Sequence, residues 1–179
     1  MVRLTSTRPG SARPALARRR QVRSRPTFEF YEPRTGHGST LSPGVHAALL
    51  ARTGRLQDAV EMLRLTAHID LDDIGHMTAG GLHLAAMGSV WRSLAFGFAG
   101  LRPVGDALAI DPVIAPGWET LELRLRFRGS RVLVRIHPGA VEAGADPPVS
   151  ALDPDGERVE LTRAAQTFEI SPTRRRSDR

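Results

Sequence analysis

The chain has 179 residues, 41% of them hydrophobic, enough to bury one core of ordinary size or two small ones. It contains no cysteine, which excludes a disulfide framework, a thiolate metal site and a cysteine nucleophile. The net charge of +6 sits at the ends: residues 1–26 hold eight Arg and no acid and residues 171–179 hold four Arg and one Asp, leaving an acidic body of 13 Arg against 18 acids.

The tails decide little about partners. They lack aromatic residues for base stacking and any motif that reads bases, so no specific nucleic-acid partner is expected, and residues 1–27 are too poor in apolar side chains to offset their ordering entropy. Apolar runs break well short of the ~20 residues of a membrane span, and no apolar core of a secretory signal is present. A cytoplasmic protein without membrane partners is expected.

The first ordered stretch reads "FEFYEPRTGHGSTLSPGVHAALLARTG" over 28–54. Its Gly-His-Gly-Ser-Thr cluster runs straight into a helix. Such a cluster either holds an anion on the unpaired N–H groups of the first turn or simply caps the helix. Ser42 and Pro43 give a capping residue and a Pro at the first helical position, and Val45, Ala48 and Leu49 share one face until Gly54. A second helix starts near Leu56 with Ala59, Val60, Leu63 and Ala67 at helical spacing, so a tight Gly54-Arg55 turn makes an antiparallel hairpin.

Residues 68–81, "HIDLDDIGHMTAGG", read as a loop, and 82–100 as a third helix whose one charge is Arg92. A helix this apolar is normally buried on most sides. Three helices do not complete a layer, so the helical part wants partners that these residues do not supply. The period then changes. Leu121, Leu123, Leu125 and Phe127 alternate with Glu122, Arg124 and Arg126, and a turn at Gly129-Ser130 leads to Val132, Val134 and Ile136: a β-hairpin with one apolar face. Further strands are expected at 140–143, 157–162 and 166–170, with Asp-Pro-Asp-Gly at 153–156 as the turn before the last pair.

Taken together, the 28–54 stretch, "HIDLDDIGHMTAGGLHLAAMGSVWRSLAFGFAGLRP" and "PGWETLELRLRFRGSRVLVRIHPGAV" closely resemble the C-terminal end of glycoside hydrolase family 65, which includes maltose, trehalose and kojibiose phosphorylases. The resemblance spans about residues 28–141. It implies an α+β fold: the last helices of an (α/α)6 barrel over 28–100, followed by a small antiparallel β-sheet or sandwich domain over 101–171 and a basic tail over 172–179.

The resemblance also implies inverting phosphorolysis of α-linked glucosyl disaccharides, with inorganic phosphate as co-substrate and no other cofactor. Ser39, Thr40 and His83 match the family's phosphate subsite; two hydroxyls and an imidazole near two helix starts suit an oxyanion. His37 lies in the same loop as a support. Glu32 and Arg34 are read as ion-paired supports rather than as a catalytic acid and a phosphate ligand, and Asp70, Asp72 and Asp73 as loop hydrogen-bonding groups rather than a metal site. The family's general acid lies upstream of the matched region, so no residue here takes that role and the chain alone is expected to be inactive. The alternative is a non-catalytic carbohydrate-binding or assembly module that completes a barrel borne by a separate upstream chain.

Overall fold

The computed structural model describes residues 26–170 apart from 37, 38, 75 and 77. Except for residues 26 and 27, which begin a helical turn running to residue 31, both expected tails lie outside the described residues. A 3-10 turn, Glu32–Arg34, follows with Pro33 at its start. The first full helix, α1, is Ser42–Thr53, with Pro43 in its opening turn. It ends because Gly54 takes φ 86, where its N–H meets the Ala51 carbonyl and the next N–H, of Arg55, meets the Leu50 carbonyl at 3.0 Å. The chain reverses at once into α2, Leu56–His68. Ala59, Leu63 and Thr66 form its buried face.

The third helix departs from the sequence expectation in two ways. It is α-helical only over α3, Leu84–Arg92, and continues as a π-helical turn, Ser93–Phe98. Leu82, Leu84, Met87, Trp91 and Phe96 are exposed, so its apolar surface is covered on one side only. That side faces α1. Ser93 Oγ donates to the Gly44 carbonyl at 2.6 Å, a Cβ on Gly44 would collide with Ser89, and a Cβ on Gly97 would stand 2.8 Å from the Ala48 Cα. Residue numbers rise together across this contact, from Gly44 beside Ser89 to Ala48 beside Gly97. Helices α1 and α3 therefore run parallel, with α2 returning between their directions.

Eight strands follow among the described residues: β1 Arg102–Val104, β2 Ala107–Ala109, β3 Leu121–Phe127, β4 Ser130–His137, β5 Ala140–Asp146, β6 Val149–Leu152, β7 Arg158–Leu161 and β8 Gln166–Glu169. They form two four-stranded sheets, ordered β1-β2-β6-β7 and β3-β4-β5-β8. The second is antiparallel throughout, whereas β2 pairs parallel with β6, because the chain visits the second sheet before returning to the first. The β3–β4 hairpin closes on Arg128 and Gly129, both at positive φ (51 and 89), the two-residue turn that matches strand twist. Val132, Val134, Ile136, Val141 and Ala143 of one sheet and Ala151 and Leu161 of the other are buried in one cluster that continues to Leu50, Ala51 and Phe98 of the helices. Each fully buried Val, Ile or Leu contributes about 1.5–3 kcal/mol.

The seam between helices and sheets turns on Gly100 (φ 62). Arg52, in the last turn of α1, reaches across it to the carboxylate and carbonyl of Asp111 and to the Gly97 carbonyl. A Cβ on Gly100 would lie 2.0 Å from the Asp111 carbonyl oxygen. Gly100→Ala is expected to cost about 2–4 kcal/mol, a left-handed residue plus a steric clash. Gly117→Ala, at φ 81 with open space around its Cβ, should cost about 1 kcal/mol. Urea unfolding of the two variants checks the difference; equal losses would show that the seam yields freely.

Candidate functional site

The loop between α2 and α3 carries three aspartates, and each lies beside a different histidine. Asp72 accepts from His68 across one helical turn at 3.0 Å, and Asp73 (φ 45) lies 3.8 Å from His76. Asp70 does more. One carboxylate oxygen lies 2.5 Å from His83 Nδ1 and the other accepts the His83 backbone N–H at 2.9 Å. Asp70 thus grips both the main chain and the ring of the residue that opens α3.

Physical chemistry fixes the direction of that ring contact. The bond to His83 holds the Asp70 carboxyl below its ordinary value of 3.8, so at neutral pH it is a carboxylate and can only accept. His83 Nδ1 must then carry a proton. The Asp70 side chain is 8% exposed and that of His83 21%. On its other flank Asp70 borders an apolar cleft of about 260 Å³ walled by Thr66, Leu71, Leu82, Ala86, Met87 and Val90. Thr66 turns its hydroxyl back to the Met62 carbonyl, so the wall offers Asp70 little competition for the His83 bonds. Among the described residues no three carboxylates or imidazoles converge as metal ligands would.

Ser39 and Thr40 occupy the turn that enters α1. Ser39 Oγ accepts the Leu41 N–H at 3.3 Å, and the Ser39 carbonyl receives the N–H and the hydroxyl of Ser42. Ser39 is exposed and Thr40 half-buried. Because α1 and α3 are parallel, the Ser39-Thr40 turn and His83 stand at the same end of the helix pair. Gly44 is the third residue of α1 and Ser89 the sixth of α3, so the Gly44–Ser89 contact offsets the two helix starts by about one turn. No hydrogen bond joins them among the described residues.

The supports differ in part from expectation. Glu32 pairs with Arg55 at 2.6 Å, and Arg55 also holds Asp58, so Glu32 pins the 32–34 turn to the start of α2. Arg34 is not its partner. It donates to the Phe30 carbonyl at 2.5 Å and lies 4.1 Å over the Phe30 ring, because residues two apart on a helical turn do not face each other. His37 lies outside the described residues. Sequence reading placed Asp70 only in a hydrogen-bonded loop; its fork on His83, thirteen residues away, had no periodic signal to reveal it.

Residues 16–92 match the model of the glycosyl hydrolase family 65 central catalytic domain, and residues 101–170 match that of the family's C-terminal domain. A maltose phosphorylase of Bacillus subtilis is 38% identical over 112 residues, covering 63% of this chain and 15% of that protein. A kojibiose phosphorylase of Halothermothrix orenii is 33% identical over 109 residues, covering 61% and 14%. A solved structure described as a kojibiose phosphorylase from the human microbiome superposes with a TM-score of 0.73 at 25% identity, over 80% of this chain and 21% of that one. The chain therefore spans about one seventh of the curated relatives' length. The two consecutive domain matches, catalytic then C-terminal, cover most of its residues, and the chain belongs to glycosyl hydrolase family 65.

Proposed function

We propose that this chain is the C-terminal part of a family 65 disaccharide phosphorylase and carries the phosphate side of its active site. The observation that supports this most is the parallel packing of α1 and α3. It brings two helix N-termini to one end, with the Ser39 and Thr40 hydroxyls at one and the Asp70-held His83 at the other. Two hydroxyls, an imidazole and helix dipoles of the same sign suit an oxyanion.

In the reaction, a carboxylic acid elsewhere in the enzyme protonates the glycosidic oxygen as the bond from the anomeric carbon breaks. A phosphate oxygen forms the new bond from the opposite face, inverting the centre and yielding β-glucose 1-phosphate. Phosphate is itself the nucleophile, so the chain's own groups bind and orient it and no carboxylate base need activate water. The general acid is not among these residues.

A second reading, an assembly module that completes a catalytic domain carried by another polypeptide, draws on the exposed apolar residues of α3. Leu84, Met87 and Trp91 recur at helical spacing and are exposed, as on a helix that packs against further barrel helices.

One assay separates these from the inactive state. The purified chain should release no glucose 1-phosphate from maltose, trehalose or kojibiose, since the general acid alone is worth ~10²–10⁴-fold and the sugar-binding wall is missing. Co-expression with the remaining portion of a family 65 phosphorylase should restore turnover under the assembly reading; failure to co-purify would end it.

Phosphate binding tests the site itself. NMR titration, with the Arg-rich ends deleted, should give saturable shifts at residues 39–42 and 81–84 with a Kd in the millimolar range, equivalent to about 4 kcal/mol. Ser39→Ala and His83→Ala should each weaken them; shifts indifferent to both variants would return the cluster to a plain helix cap.

The Asp70 fork also makes the loop acid-sensitive. A carboxyl with a lowered folded pKa contributes stability that is complete above the unfolded value, near 3.8, and is lost as pH falls through the folded value. Amide exchange at His83 and Leu84 should therefore accelerate in that acid window, and Asp70→Asn should abolish this step while raising exchange at neutral pH.

A further inference from the structure

We propose that Asp70 is a specificity-determining residue: by holding the His83 ring with its proton on Nδ1, it makes Nε2 a proton acceptor and so selects phosphate over sulfate. This rests on the reading of His83 as an anion ligand. The two anions match in size and shape and differ in one respect that a hydrogen-bonding site can read. Near neutrality phosphate keeps at least one P–OH group, whereas sulfate has only acceptor oxygens.

A neutral imidazole has one donor and one acceptor nitrogen. Asp70 is held as a carboxylate and lies 2.5 Å from Nδ1, so the neutral ring has its proton there and a lone pair on Nε2. That lone pair accepts from P–OH. Towards a sulfate oxygen it presents lone pair to lone pair. The grip is two-point, since the second Asp70 oxygen takes the His83 backbone N–H at 2.9 Å, and the carboxylate cannot swing away from the ring without giving up that bond.

The same two-point geometry makes Asp70→Asn an inversion rather than a deletion. The position facing the backbone N–H must remain an acceptor, so the amide oxygen takes it. The amide NH₂ is then left facing Nδ1, and a donor there requires a lone pair on Nδ1 and places the ring proton on Nε2. The variant ring becomes a donor to the anion and accommodates sulfate as readily as phosphate.

The test uses the full chain at pH 8, where imidazole is ordinarily neutral. The ¹⁵N shifts of the His83 ring, read without ligand, should report Nδ1–H in the wild type and Nε2–H in Asp70→Asn. Titration with inorganic phosphate and with sulfate should favour phosphate roughly tenfold in the wild type, about one lost hydrogen bond. The ratio should fall to about twofold or less in Asp70→Asn and recover in Asp70→Glu.

A wild-type ring protonated on Nε2 overturns the proposal, as does a phosphate preference that survives the tautomer change. The tautomer reading needs no variant, so it decides the role of Asp70 even if Asp70→Asn does not fold. Should neither anion bind while Nδ1–H is found, the phosphate reading of the site fails and the lock on His83 stands.

Discussion

The guanidinium of Arg52 joins the two halves of the molecule. It sits in the last turn of α1, where a cation is favoured by the helix dipole and meets unpaired carbonyls. From there it bonds the Asp111 carboxylate, the Asp111 carbonyl and the Gly97 carbonyl, so that one side chain ties a helix, a π-turn and the segment leading into the second sheet. The pair is mostly shielded, with side chains 13% and 23% exposed, and Arg102 approaches the same carboxylate at 3.7 Å. In such surroundings either partner left alone is more costly than the pair is favourable. The chain can pass this close to Asp111 only because residue 100 has no side chain.

That seam governs the site at a distance. The Gly97 carbonyl that Arg52 holds belongs to the π-turn, and the same glycine lets the Ala48 backbone approach α3's continuation closely. Gly44 against Ser89 repeats the device nearer the N-termini, about one turn back along α1 and two along α3 and its continuation. Together these contacts of small residues set the register of α1 on α3, and with it how far the Ser39-Thr40 turn stands from His83. Bulk at Gly44, Gly97 or Gly100 would slide the two helix ends apart without touching Ser39, Thr40 or His83.

How much of this the sequence disclosed depended on whether a feature leaves a local pattern. Pro43 and Gly54 punctuate α1, and the alternation from Leu121 to Phe127 with Gly129 after it marks the hairpin, so both were readable. Strands β1, β2 and β6 were not. Ala107–Ala109 is three residues long and buried throughout, which leaves no alternation, and its parallel partner Val149–Leu152 lies some forty residues on. The family resemblance pointed to Ser39, Thr40 and His83 as residues. Their supports, Arg55 for Glu32 and Asp70 for His83, are tertiary pairs between loops and helix starts, where neither the period of 2 nor that of 3.6 applies.

The two halves also differ in what they need from outside. The sheets bury their inner faces against each other and direct Glu122, Arg124, Arg135 and Glu142 outward in ion pairs, and among the described residues Val104 alone of the sandwich's large apolar side chains is exposed. The helices differ: Leu41, Val45, Leu84, Met87, Trp91 and Phe96 remain exposed on them. The proposed site at the N-termini of α1 and α3 therefore sits on the half with the least packing to hold it. What keeps its parts in place here is short-range: the Asp70 fork at one helix start, the Ser39 turn at the other, and the Gly44–Ser89 contact between them. Such contacts orient each group well but fix the distance between groups less well, since packing on all sides is what makes a donor array preorganised. Covering helices would add little new chemistry to His83, whose ring Asp70 already orients; they would hold it and the Ser39-Thr40 turn at one separation.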